Sequence, residues 1–174
     1  MTPIDWAAIF EHGDRRAPLP EGLLTAVSAS VTTPLDPEEV RALAAENAPD
    51  PGRWEFPAHP LPASYLAFLA WSNGGGFVNG DREFQMLAAE ELREYMLTYR
   101  LPYHLPGTVP FALDGEGGFY LFDLRHPPDA AGESPVLYAG TGGLGFDSAV
   151  EVGRSFVEAC RGRTDPRDRP QDPA

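Results

Sequence analysis

Residues 138–153 read YAGTGGLGFDSAVEVG, and the fold class turns on how they are read. Gly140, Gly142 and Gly145 spell G-x-G-x-x-G. The apolar residues 135–139 before them predict a strand. Ser148-Ala149-Val150-Glu151 after them has capping-box spacing and predicts a helix from Ser148 to about Cys160. Strand, glycines and helix is the order of a dinucleotide-binding loop. The details argue against one. The helix should begin within the glycines, so that its N-terminus faces the pyrophosphate. Here Phe146 and Asp147 intervene, and Asp147 puts negative charge where phosphate would sit. A second parallel strand should end in an acid about 20 residues on. Asp165 and Asp168 fall instead in a charged, Pro-rich segment. The stretch is therefore read as a connection, with residues 136–139 in a mainly antiparallel sheet.

The sequence around it supports that reading. Residues 109–113 and 119–124 predict strands, joined by the turn Asp114-Gly115-Glu116-Gly117-Gly118. So short a link makes them antiparallel. Residues 126–134 are a Pro-rich loop. Further upstream, LPASYLAFLAWSNGGG (residues 61–76) places Tyr65, Leu66, Phe68 and Leu69 at helical spacing, with Asn73-Gly74 as the stop. Phe77 to Leu87 reads as a hairpin or an interrupted strand pair around Asn79-Gly80-Asp81. A helix over about residues 88–100 turns Leu92, Tyr95, Met96 and Tyr99 inward, and Glu90, Glu91 and Glu94 outward.

Toward the N-terminus, Thr2 and Pro3 suit the start of a short helix that carries Trp6, Ile9 and Phe10. Residues 13–20 read as a loop, and residues 23–31 fit either helix or strand. Asp36, Pro37 and Glu39 form a clear helix start, with Leu35 and Val40 as a staple and a run to about Asn47. Residues 48–60 carry four prolines and form a loop, pinned to the core by Trp54 and Phe56. Helices first, then antiparallel strands, then one helix gives an α+β fold. The expected organisation is an extension over 1–34 packed on the domain, a domain over 35–160, and a disordered tail over 161–174.

Composition bounds the function. The chain has 174 residues, 43% of them hydrophobic, enough for one domain with a sizeable core. Net charge is −13, and all 13 basic residues are arginine. Four arginines and three aspartates lie in residues 161–174, which leaves nine arginines against 23 acids in the rest. Such a domain repels phosphate backbones, so no nucleic-acid partner is expected. No apolar run is long enough to span a membrane. MTPIDWAAIFEHGDRR lacks a basic start followed by an apolar run, so no secretory signal is expected. Cys160 is the single cysteine, expected half-buried on the last helix. It can form no internal disulfide and fits a reducing, cytoplasmic setting.

No catalytic set emerges. His12, His59, His104 and His126 show no metal-ligand pairing, no G-x-S-x-G elbow occurs, and without lysine there is no P-loop. No catalytic residue, cofactor or metal is expected. The acids are distributed more tellingly. Between Leu101 and Gly153 stand seven acids and one arginine. Asp114 and Glu116 are expected exposed on their turn, Asp81 and Glu83 on the hairpin, and Glu90, Glu91 and Glu94 on the helix. These seven are the candidate partner-binding residues, an acidic face suited to a basic protein surface; the alternative reading is an ordinary solvated surface.

Four segments, in order, carry a family resemblance: a D-x-E-E helix start at Asp36, the segment from Leu61 to Gly75, VPFALDGEGGFYLFDL, and PVLYA followed by a helix with Val152, Ser155, Phe156 and Val157. Together they resemble the SUKH superfamily, which groups yeast cell-wall-synthesis regulators, Syd and bacterial toxin-immunity proteins. The resemblance spans roughly residues 35–160. It departs in the long segment 48–60, in the first 30 residues, and at Gly153, where the family often has Ala. It implies a mostly antiparallel sheet packed with helices and a non-enzymatic, protein-binding role. For bacterial members it implies immunity, the binding and blocking of a toxin domain such as a nuclease. The alternatives are a housekeeping scaffold or regulator of an endogenous partner, and an enzyme. Oligomeric state is left open.

Overall fold

The computed structural model describes residues 3–168. Among them, seven strands form one sheet in chain order: β1 (His12–Arg15), β2 (Gly75–Asn79), β3 (Arg82–Met86), β4 (Thr108–Leu113), β5 (Gly118–Asp123), β6 (Val136–Gly140) and β7 (Val150–Gly153). Every neighbouring pair is antiparallel. The helices are α1 (Trp6–Ile9), α2 (Glu21–Thr32), α3 (Pro37–Ala45), α4 (Ala63–Trp71), α5 (Glu91–Thr98), α6 (Leu101–His104) and α7 (Phe156–Arg161). The fold is α+β.

Both faces of the central strands are covered, so β5 is buried along its whole length. The period of two divides its side chains. Tyr120 and Phe122 join the main core with α1, α2, α4 and α7, while Phe119 and Leu121 pack with Leu101, Leu105, Leu137 and Ala139 on the other face. In the main core Phe68 meets the rings of Trp6, Phe10, Tyr65, Trp71, Phe77 and Phe156 at centroid distances of 5.4–6.4 Å. The β4–β5 register slips between Pro110 and Ala112, a bulge at Phe111. Pro110 can stand in a central strand because β3 pairs with β4 only at Gln85↔Leu113 and Met86↔Ala112.

Local signals account for several elements. The Asp36 side chain accepts from the amides of Glu38 and Glu39, each at 2.8 Å, and Glu39 Oε2 accepts from the Asp36 amide at 2.9 Å, a complete capping box. Residues 23–31, open between helix and strand, lie in α2. The expected helix over 88–100 is α5; Arg100, with a φ of 53°, turns the chain into the separate short α6. Thr2, expected as the first N-cap, lies outside the described residues; Asp5 caps α1 by accepting from the Ala8 amide at 3.3 Å.

Three readings need correction. Residues 13–20 read as loop in the sequence, yet His12–Arg15 forms edge strand β1, held by pairing to β2 rather than by any apolar alternation of its own. No helix begins at Ser148. Residues 150–153 form β7 instead: Val150, Glu151 and Gly153 pair with Tyr138, Leu137 and Val136 of β6, and Val150 and Val152 turn toward the core. The true helix start is the second S-x-x-E, Ser155 to Glu158: Ser155 Oγ accepts from the Glu158 amide at 3.2 Å, and Glu158 Oε2 accepts from the Arg154 amide at 2.7 Å. The glycines of residues 140–145 thus lead into an antiparallel strand. Cys160, expected half-buried, is fully buried, and burial pushes its thiol up.

The β7–α7 junction is tight. A Cβ on Gly153 would lie 2.6 Å from the Ala159 amide nitrogen. Backbone cannot yield there as a side chain would, so Gly153→Ala is expected to cost about 1–3 kcal/mol. Urea denaturation checks this, and an unchanged midpoint would show that the junction relaxes.

Candidate partner-binding cleft

The sheet opens where β3 outruns β4. β3 continues to Arg82 and the Gly80-Asp81 turn, while β4 ends at Leu113 and turns away at Asp114. Gly80, at the first central position of this two-residue hairpin, has the positive φ (60°) that such a turn requires. The result is a cleft of about 190 Å³ lined by Asp81, Glu83, Asp114, Glu116, Tyr120, Asp165, Pro166 and Arg167. The walls stand close: a Cβ on Gly115 would lie 2.8 Å from Gln85 Nε2 and 3.4 Å from Glu83 Oε1.

Four of the seven candidate acids therefore meet in one place, but in two roles. Asp81, Glu83 and Glu116 are exposed. Asp114, expected exposed, is only 7% exposed. Its Oδ1 accepts from the amides of Glu116 and Gly118, each at 2.8 Å, and its Oδ2 accepts from the Tyr138 hydroxyl at 2.5 Å. The carboxylate is consumed in shaping the turn, as an acceptor for amides that the turn would otherwise leave unpaired. Burial alone would raise its pKa. The hydrogen bonds from Tyr138 and the two amides, with the charge of Arg167, prevail and hold it below the usual carboxylate range.

The linkage follows from that direction. A carboxyl with a lowered folded-state pKa contributes stability above its unfolded value and loses it as pH falls through the folded value. Asp114→Asn is expected to cost about 2 kcal/mol at neutral pH. The difference from wild type should narrow in acid, where wild-type Asp114 protonates and loses its advantage. Denaturation at neutral pH and again in acid reads both effects; a constant difference would remove Asp114 from the pH dependence.

The helical acids do not join this cleft. Glu90 Oε2 accepts from Asn73 Nδ2 at 3.1 Å, while Asn73 Oδ1 accepts from the Ala89 amide at 2.8 Å. Asn73 thus ties the end of α4 to the start of α5. Glu91 Oε2 accepts from the Ala88 amide at 2.7 Å and pairs with Arg16 at 3.6 Å. Glu94 lines a separate cavity with Tyr95, Thr98 and Tyr99.

Sequence reasoning missed the other side of the cleft. Residues 162–168, expected to belong to a disordered tail, run along the β2–β3 hairpin as far as they are described. The Asp81 amide donates to Arg163 O at 2.7 Å, and Arg82 Nε donates to Thr164 O at 2.9 Å. Arg82 is 2% exposed, and its Nη1 also donates to Ala159 O at 2.7 Å. Residues 166–168 then form a short 3-10 turn that brings Arg167 over the cleft. Its guanidinium pairs with Asp165 and Glu116. Residues 169–174 of the expected tail lie outside the described residues.

Among the described residues no group of His, Cys, Asp and Glu side chains could hold a metal ion, and no helix is long and apolar enough to cross a membrane. A model described as the SMI1 / KNR4 family (SUKH-1) matches residues 55–160, more than half of the chain. The match takes in both β-turns of the cleft and ends before Arg167. None of the curated proteins compared matches the chain.

Proposed function

The chain belongs to the SMI1/KNR4 family (SUKH-1), and on that premise we propose that it acts in the cytoplasm without turnover, as an immunity protein that binds and neutralises a bacterial toxin domain. The observation that carries the reading is the convergence of exposed Asp81, Glu83 and Glu116 on one cleft in a chain of net charge −13. Acids held on strand β3 and on two short turns of the sheet present their charge in one place. A basic substrate groove, such as that of a nuclease, is attracted to such charge at long range and is covered by it on contact. The sheet and its turns supply the shape, and no catalytic step is required of it.

The test is co-expression with a toxin-like product encoded beside it. Growth rescue and co-purification of the two chains are expected. A toxin that kills equally with and without this chain, and is not retained by it, overturns the immunity reading. Capture of a housekeeping protein instead would make the chain a regulator of an endogenous partner.

A further inference from the structure

The cleft contains a group that its own chain leaves unused. Tyr120 is 0% exposed, lines the cleft, and its hydroxyl has no hydrogen-bond partner. A buried hydroxyl without a partner costs free energy, and native interiors rarely leave one so. Its neighbour on β6, Tyr138, is satisfied by Asp114. The charges that the Tyr120 phenol feels include first Arg82, whose guanidinium donates to backbone carbonyls and not to this hydroxyl, and then Asp114 and Asp165, two other cleft residues, so its polar end stands beside the acidic wall. A fully buried, unsatisfied oxygen beside several carboxylates lacks a donor, and the donor that suits those carboxylates is a cation bearing several N–H groups.

The chain shows which cation fits. Arg167 lies over the cleft with Nε 3.0 Å from both Asp165 oxygens, and pairs through its terminal nitrogens with Asp165 and Glu116. It does not reach the Tyr120 hydroxyl. Asp81 and Glu83 carry no ion pair among the described residues, so one arginine leaves much of the cleft's charge unanswered. Arg167 is also open to displacement: its guanidinium is exposed, and so is Glu116, so screening by water and salt keeps the worth of that pair small.

We propose that the cleft is a receptor for an arginine side chain of a basic protein partner, and that Arg167 is an internal stand-in which that arginine displaces. The incoming guanidinium donates to Glu83 or Asp81 on one wall and Glu116 on the other, and to the Tyr120 oxygen beneath. Planar, multiply donating guanidinium matches this arrangement; a lysine ammonium supplies the charge without the fork. The proposal rests on the protein-binding reading above and adds what is recognised and what guards it. A chain with its own arginine in place presents a less sticky surface until a better-placed arginine arrives, which lowers apparent affinity for weak, non-cognate cations.

The probe is N-acetyl-arginine amide, titrated into isotopically labelled full-length chain at constant ionic strength and followed by amide NMR shifts. N-acetyl-lysine amide is the control. Expected shifts fall on Asp81 and on Gly115, Glu116, Gly117 and Gly118. Arg167→Ala removes an exposed guanidinium and should bind the arginine probe about tenfold more tightly, the factor for a cleft self-occupied about nine-tenths of the time. Tyr120→Phe added to Arg167→Ala should weaken the probe several-fold while leaving the melting temperature equal or higher, because it deletes an orphan hydroxyl. A purely structural tyrosine would not show that opposition. Equal binding by wild type and Arg167→Ala overturns the stand-in. Equal binding of arginine and lysine probes, unchanged affinity in Tyr120→Phe, or shifts elsewhere overturn the receptor. None of these readouts needs the toxin partner, so a failed co-expression test and a failed probe titration are separate results.

Discussion

Phe68→Ala is expected to lower stability by about 4 kcal/mol, read from the urea midpoint with an unchanged slope. Phe68 is 0% exposed and stands on α4 where rings from α1, β2, α7 and α4 itself converge. Several contacts are edge-to-face, the arrangement that adds attraction beyond buried area. Truncation loses the transfer free energy of the ring and leaves a hole that neighbours on four separate elements cannot jointly fill. The cost is large because one side chain joins the N-terminal helix, the central helix, the sheet and the last helix. A loss below about 1 kcal/mol would mean that the core repacks freely.

Arg82→Met is expected to cost about 3 kcal/mol and to expose the chain after Arg161 to proteolysis. Arg82 comes from β3, yet its guanidinium serves the backbone beyond α7, donating to the carbonyls of Ala159 and Thr164. Methionine preserves much of the volume but supplies no donor. The Ala159 carbonyl is left in an interior where an unmade hydrogen bond is costly, and the Thr164 carbonyl loses its tie to β3. Because residues 162–168 border the cleft, this variant should also change cleft geometry. Limited trypsin digestion followed by mass spectrometry checks it: cleavage at Arg163 and Arg167 should accelerate. Wild-type stability with an unchanged digestion pattern would show that Arg82 does not hold the segment.

The contrast between these two residues explains what could be read from the chain. Phe68 was legible, since Tyr65, Phe68 and Leu69 recur at helical spacing between Pro62 and Asn73-Gly74. So was the Asp36 capping box, whose parts lie within four residues, and the β4-turn-β5 pair, whose link is too short for a crossover. Arg82 was not legible, because its partners lie some 70–80 positions away and nothing local marks a buried arginine. β1 failed for a related reason. His-Gly-Asp-Arg has no apolar alternation, and only the waiting edge of β2 makes it a strand. In the last third two S-x-x-E sequences compete, and spacing alone cannot choose. Pairing of Val150, Glu151 and Gly153 onto β6 takes the first for a strand and leaves the second as the cap.

The candidate site was legible in part, for the same physical reason. Turn acids are visible in sequence, and Asp81, Glu83 and Glu116 do meet, because β3 and β4 are neighbours. The inward role of Asp114 was hidden: an Asp at a turn start serves either solvent or its own backbone, and here Tyr138 and two amides decide. Glu90 and Glu91 looked equally available, yet the start of α5 uses them.

The central claim is that the exposed acids of the cleft bind a basic protein. The most direct measurement is calorimetric titration of the toxin domain captured by co-expression into wild type and into a triple variant, Asp81→Arg with Glu83→Arg and Glu116→Arg. Asp114 is left in place so that the turn survives. Wild-type binding should weaken steeply with added salt, and the variant should retain its melting temperature while losing about a hundredfold or more in affinity. A folded variant that binds as tightly as wild type would contradict the account.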